Sequence, residues 1–195
     1  MTKGLKVGAS VLAFCLCLPA IAAAQVGVKG GIVFSDIVGG DNNDSRWMTG
    51  WSAGGFGSAR IASGFYFQPE VLYTRKGAKA APILGGSDLK AQLDYVEVPL
   101  LFRLSPSAGP VGLDILGGVA PAFKVRARLV NDAGDEEDIS DEIKSVDAGV
   151  VAGLGFHVGG FFVEGRWTEG LVKLLDVEGA TSRNRVISVL AAIGF

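Results

Sequence analysis

His157 is the sole histidine of the chain, and its two cysteines, Cys15 and Cys17, both lie in the apolar N-terminal stretch. Acyl transfer by a serine nucleophile needs an imidazole beside it, held in turn by an acid or amide. Any hydrolase or lipid-modifying chemistry must therefore pass through His157. The residues that follow it are Val158, Gly159 and Gly160, and no serine lies in its immediate sequence. The plainer reading, which the sequence favours, is an interior or rim histidine beside a turn. With no cysteine after Cys17, the rest of the chain offers no disulfide framework, thiol nucleophile or cysteine-based zinc site. Gly27, Gly30 and Gly31 invite a phosphate-loop reading, but no helical pattern follows them, so it is rejected. The run 131–142 (NDAGDEEDISDE) is rich enough in carboxylates to consider Ca²⁺ or a divalent bridge to anionic lipid head groups. It lacks alternate ligands around a central glycine, and a solvated loop kept extended by self-repulsion is the simpler reading. The run 36–44 carries the same ambiguity with fewer charges. No catalytic residue, metal or cofactor is assigned.

A second set of charged residues is more informative. Lys29, Glu70, Glu97, Arg103, Asp114, Lys124, Arg126, Asp147, Glu164 and Arg166 fall on one phase of an alternating pattern, five basic and five acidic. Buried charges persist only when paired and hydrogen-bonded, and a set so balanced can pair internally. Two uses are open: a charged constriction that selects ions or small solutes, or a salt-bridged plug that fills the interior.

The elements that carry these residues are strands. The chain has 195 residues, 49% hydrophobic and 19% charged, with 29 glycines. Its mean hydropathy is +0.38. Disorder is excluded by the high hydrophobicity and low charge, and so much glycine suits a helix-rich protein badly. A net charge of −2 offers no basic face for nucleic acid. Residues 1–24 have the tripartite form of a secretory signal: Lys3 and Lys6, an apolar core over 7–18, then Ala22, Ala23 and Ala24 before Gln25. The apolar core is shorter than the roughly 20 residues of a spanning helix. Phe14 and Leu16 are too large to precede a lipoprotein cysteine. Cleavage is expected after Ala24, leaving one domain over 25–195.

In that domain, period-two alternation recurs over eight segments, approximately 26–35, 48–61, 64–75, 92–104, 111–127, 146–158, 161–173 and 184–195. Val96, Val98, Leu100, Phe102 and Leu104 oppose Tyr95, Glu97, Pro99, Leu101 and Arg103. Phe161, Val163 and Trp167 likewise oppose Phe162, Glu164, Arg166 and Thr168. A soluble sandwich would bury the apolar face, whereas a membrane barrel turns it to lipid and keeps polar and small residues inside. The connections discriminate. Residues 62–63, 105–110 and 159–160 are short links, whereas 36–47, 76–91, 128–145 and 174–183 are longer and more polar. Short and long links alternating around an even number of strands are the pattern of an outer-membrane barrel, with short periplasmic turns and long outside loops. The fold class expected is all-β: a single eight-stranded antiparallel up-and-down transmembrane β-barrel. Trp47, Trp51, Tyr66, Tyr73 and Trp167 fit an interfacial aromatic girdle or ordinary core packing equally well. Eight strands leave an interior that side chains just fill, which favours the plug over the pore.

Several stretches also resemble the PorT-like, porin-like outer membrane β-barrel family of Gram-negative bacteria. They are GVKGGIVFS at 27–35, FQPEVLY at 67–73 followed by Arg75, Lys76 and Gly77, YVEVPLL at 95–101, Gly117-Gly118, and EGRW at 164–167. Phe195 looks like the C-terminal aromatic that the outer-membrane assembly machinery reads. The resemblance implies an outer-membrane location. Expected partners are outer-membrane lipid and, during biogenesis, that machinery, with the chain a monomer. The expected role is non-enzymatic, structural or interactive; a narrow channel is the alternative, and a lipid-modifying enzyme a remoter one.

Overall fold

A residue pattern that alternates every second position presents two unlike faces only when the backbone is extended, and ten such strands form among the described residues of the computed structural model. Those residues are 24–38, 45–80, 89–107, 109–131, 136–140, 145–172 and 183–195. The strands are β1 (Ala24–Val38), β2 (Ser45–Ala62), β3 (Phe65–Ala80), β4 (Leu89–Glu97), β5 (Leu100–Leu104), β6 (Val111–Val130), β7 (Glu136–Asp138), β8 (Val146–Val158), β9 (Phe161–Gly170) and β10 (Arg183–Gly194). β4 and β5 are one stave of the barrel, interrupted at Val98-Pro99. Pro99 has no N–H to give the ladder, but its carbonyl still accepts from the Glu70 N–H at 2.9 Å, and the Val98 N–H reaches the Pro121 carbonyl at 2.8 Å.

Every neighbouring pair is antiparallel. β1 bonds β2 on one side and β10 on the other, from Gly27↔Gly194 to Val38↔Arg183, so the sheet closes on itself. The ring runs β1, β2, β3, β4/β5, β6, β8, β9, β10: an eight-stranded up-and-down barrel. Closure leaves no unpaired edge, which hydrocarbon requires because it offers the backbone no water.

The short links all lie at one end. Gly64 and Gly159 adopt φ of 71° and 58° there, the left-handed region that tight hairpin turns demand and glycine takes without strain. The Ser105 N–H donates to the Gly64 carbonyl at 2.7 Å and the Gly159 N–H to the Pro110 carbonyl at 2.6 Å, knitting this turn end together. The longer links leave from the opposite, loop end. Of the acidic run there, Glu136, Glu137 and Asp138 form β7, which pairs with Arg128, Leu129 and Val130 of β6. The remaining acids of that run, residues 39–44 and residues 1–23, with the expected signal, lie outside the described residues. Ala24 opens β1, opposite Ala59.

The strands overrun several expected boundaries. β3 continues five residues past 75, which places Lys76 in the wall rather than in a loop. β6 runs to Val130 and includes a bulge: Asp94 faces Arg126 while Tyr95 faces Lys124. One extra residue, Val125, flips the side-chain phase beyond it. Ala127 is therefore buried, and the side chain of Arg126 is 52% exposed. Arg126 thus does not belong to the interior set in which its phase had placed it.

Val26, Val28, Ile32, Val71, Phe102, Leu113, Ile115, Leu154, Val163 and Val189 all stand on the exposed outer wall. A band this apolar is far larger than a soluble monomer carries and is the face a bilayer covers. Trp51 stacks on Tyr73 near the loop end at 5.4 Å, and Phe102 packs between Phe65 and Phe67 near the turn end at 5.5 and 5.6 Å. Inside, two small apolar clusters separate the polar layers. One holds Leu93, Tyr95, Ala122, Ala127 and Ile139; the other holds Leu101, Leu116, Ala120 and Val151.

Candidate functional site

Charges that alternate inward on three strands meet at mid-barrel. Glu70 of β3 receives the Lys29 ammonium of β1 at 2.7 Å and both guanidinium nitrogens of Arg166 of β9, at 2.6 and 2.8 Å. Glu164 takes the same two cations, each at 2.7 Å. The Gln68 amide adds a donor to Glu70 at 2.7 Å. Two cations and two carboxylates thus brace β1, β3 and β9 across the lumen. All four side chains are at most 5% exposed. The fork of Arg166 on Glu70 fixes orientation as well as charge. Nearby cavities are small, about 10 Å³ beside Lys29 and Glu164 and about 30 Å³ beside Thr74, Glu97 and Arg166. The first barely holds one water.

Toward the loop end a second layer centres on Lys76, which had been placed in a loop. Its ammonium lies 3.0 Å from Glu97, 3.4 Å from Asp147 and 4.3 Å from the centre of the Tyr95 ring. The Asn184 amide donates to Asp147 at 2.6 Å, and Thr74 donates to Glu97 at 3.2 Å. Above it, Arg75 forks onto Asp94 at 2.7 and 3.2 Å, and Arg128 bridges Asp94 and Glu136 at 3.6 and 2.8 Å. Lys124, half-buried, donates to the Ser140 carbonyl beneath β7, and Arg126 reaches Glu136 at 3.7 Å. The hydrogen bond from Arg128 holds the Glu136 carboxyl below its usual range, and hydrogen bonds from Ser140 do the same for Asp138. β7 is therefore tied to the barrel through Glu136 instead of being pushed away by its own charge.

A third group occupies the turn end. His157 Nδ1 lies 3.0 Å from Asp114 Oδ2, so an acid does orient the lone imidazole. Among the described residues no serine hydroxyl is hydrogen-bonded to it, although Ser107 lines the same opening. Arg103 is buried nearby against the rings of Tyr66 and Phe162, at 4.6 and 5.0 Å, and its Nη2 donates to Ser58 Oγ at 3.2 Å. Tyr66 thus faces the interior mouth, while Trp47, Trp51 and Trp167 are exposed on the outer wall.

The charged set expected from the sequence therefore divides by height. Lys29, Glu70, Glu164 and Arg166 meet at the centre, Glu97 and Asp147 meet the unanticipated Lys76, and Arg103 and Asp114 lie at the turn end. Lys124 and Arg126 lie at the loop end. Lys76 was legible in principle, because Glu70, Leu72, Thr74 and Lys76 continue a single inward phase.

The family described as outer membrane protein beta-barrel domain matches residues 19–176. The fold resembles that of Neisserial surface protein A (NspA), with a TM-score of 0.59 and 16% identity over 89% of this chain and 99% of that one. It also resembles Ail, the attachment invasion locus protein of Yersinia pestis, solved with the heparin analogue sucrose octasulfate. There the TM-score is 0.52, with 15% identity over 88% of this chain and 99% of that one. At these identities the likeness is one of fold. No curated protein matches the chain in sequence.

Proposed function

Since the chain belongs to the outer membrane protein beta-barrel domain family and resides in the outer membrane, we propose that it acts there as a closed, non-enzymatic barrel with a structural or interaction role. Its short turns face the periplasm and its four longer connections the outside, the arrangement such barrels share. One observation carries the reading: Lys29, Glu70, Glu164 and Arg166 are cross-linked through the middle of the lumen, between cavities of about 10 and 30 Å³. Eight strands enclose a space that side chains fill, unlike the aqueous channels of much wider barrels. Phe195, exposed on the outer wall with its N–H on the Val26 carbonyl at 2.8 Å, is the assembly signal in this reading. Lipid is the partner of the apolar wall. The closed ring offers no free strand edge to a second copy, which supports a monomer.

Purified barrel refolded into planar lipid bilayers tests the proposal. The expected record is flat, with no unitary steps, in the wild type. Steady conductance that Glu97→Ala or Arg103→Ala abolishes would establish a narrow channel instead and overturn the closed-barrel reading.

A further inference from the structure

The four lysines and arginines buried among the described residues differ in one respect. Lys29 and Arg166 each touch Glu70 and Glu164, and Lys76 touches Glu97 and Asp147. Arg103, 6% exposed, has no carboxylate within 4.0 Å among the described residues. Its hydrogen bond is to the Ser58 hydroxyl, and among the described residues its Nε, like that of Arg166, has no hydrogen-bond partner. The rings of Tyr66 and Phe162 attract the cation through their π faces but give its N–H groups no lone pair to accept them. A buried guanidinium in this state keeps N–H donors available to an anion.

The surroundings agree. Arg103 lines an opening of about 380 Å³ at the turn end of the barrel. Among the described residues no aspartate or glutamate lines it; the other charged or titratable groups on its wall are Arg60, His157 and Tyr66. Asp114, engaged by His157, shares a separate inner cavity of about 10 Å³ with Arg103 and does not line this opening. Ser63, Ser105 and Ser107 add hydroxyls around the same space. At the opposite end of the barrel Arg75 is committed to Asp94, and Arg128 to Asp94 and Glu136. Cationic and hydroxyl donors without a competing carboxylate suit a tetrahedral oxyanion, which accepts from several directions at once.

We infer that this turn-end vestibule binds a phosphate group, with Arg103 as its anchor and Arg60 and His157 at its rim. The inference goes beyond the closed-barrel reading and needs only the folded barrel, whichever way it conducts. The phosphate belongs either to a free ion or soluble monoester or to a lipid head group.

The full barrel, refolded in a neutral maltoside detergent, is titrated with inorganic phosphate by calorimetry, against sodium chloride at matched ionic strength. Wild type is expected to bind phosphate, and Arg103→Gln to bind it at least about tenfold more weakly. Heat-modifiable gel migration shows that the variant has folded. If Arg103→Gln does not fold, the Nε–H resonance of Arg103 in labelled wild type is followed instead, and it must move with phosphate and stay still with chloride. The titration is repeated in phosphatidylcholine vesicles with and without phosphatidic acid. Loss of the phosphate response only where phosphatidic acid is present assigns the site to a lipid head group; an unchanged response assigns it to the soluble ion. No phosphate binding by wild type, equal binding by folded Arg103→Gln, or a resonance indifferent to phosphate overturns the inference.

Discussion

Arg166 and Glu70 stand 96 positions apart in sequence, yet their charged groups meet at 2.6 Å in the middle of the barrel. What makes the pair consequential is its depth. Removing one member of a buried, hydrogen-bonded charge pair leaves the other without compensation and costs about 3–5 kcal/mol. Arg166→Met should therefore destabilise the barrel by about 3–5 kcal/mol, read as a lowered urea midpoint for unfolding from lipid vesicles. Lys29 would remain alone between Glu70 and Glu164. A surface change such as Arg185→Met, at an ion pair more than a third exposed, should shift the midpoint little. Equal effects of the two substitutions would show that the central network does not brace the fold. The sequence made the inward direction of these residues readable, because parity along a strand decides which face a side chain takes. It did not make the partners readable. Pairing across the lumen depends on the height of each residue, and height is set by the stagger of the strands.

Glycines show the same division among the elements. A composition with 29 of them suggests an interior short of room. In part that is what the barrel shows: a Cβ on Gly155 would touch the side chains of Asp114, Leu116 and Glu164. At Gly31 the reason differs, since a Cβ there would land on the carbonyl oxygen of Val189 in the neighbouring strand. That glycine lets β1 and β10 coil past each other closely enough for a narrow barrel to close. Gly159, by contrast, has open space around its Cβ position, and its constraint is the left-handed φ alone. Gly159→Ala is expected to cost about 1–2 kcal/mol and still give a heat-modifiable folded band. Gly31→Ala should fold far less completely under the same refolding conditions. The reverse order would place the constraint in the turn and not in the wall. The break at Pro99, the bulge at Val125 and the continuation of β3 to Ala80 all escaped the sequence pattern. Each depends on what the adjacent strand offers for hydrogen bonding, which a single strand's alternation does not encode. For that reason Arg126 lies outside and Lys76 inside.

At the scale of the whole molecule, the apolar wall decides the environment. Trp47, Trp51 and Trp167 are each more than 40% exposed on that wall, where lipid replaces water. Vesicles made with brominated acyl chains should quench their fluorescence strongly, while aqueous iodide should quench it weakly. Strong iodide quenching with no bromine effect would mean that the wall is not lipid-covered. The sequence by itself determined that the chain is all-β, which residues share a face where a strand runs unbroken, and that short and long links alternate, because period and punctuation are local properties of the chain. The glycine-rich, charge-poor composition follows from that plan, with its hydrophobicity on the outer wall. Only the tertiary structure decided which inward charges neutralise one another and which one is left over. Charge compensation acts through space, across a closed lumen. Lys29, Glu70, Glu164 and Arg166 resolve into a balanced brace, whereas Arg103 is carried to a mouth that no carboxylate lines among the described residues.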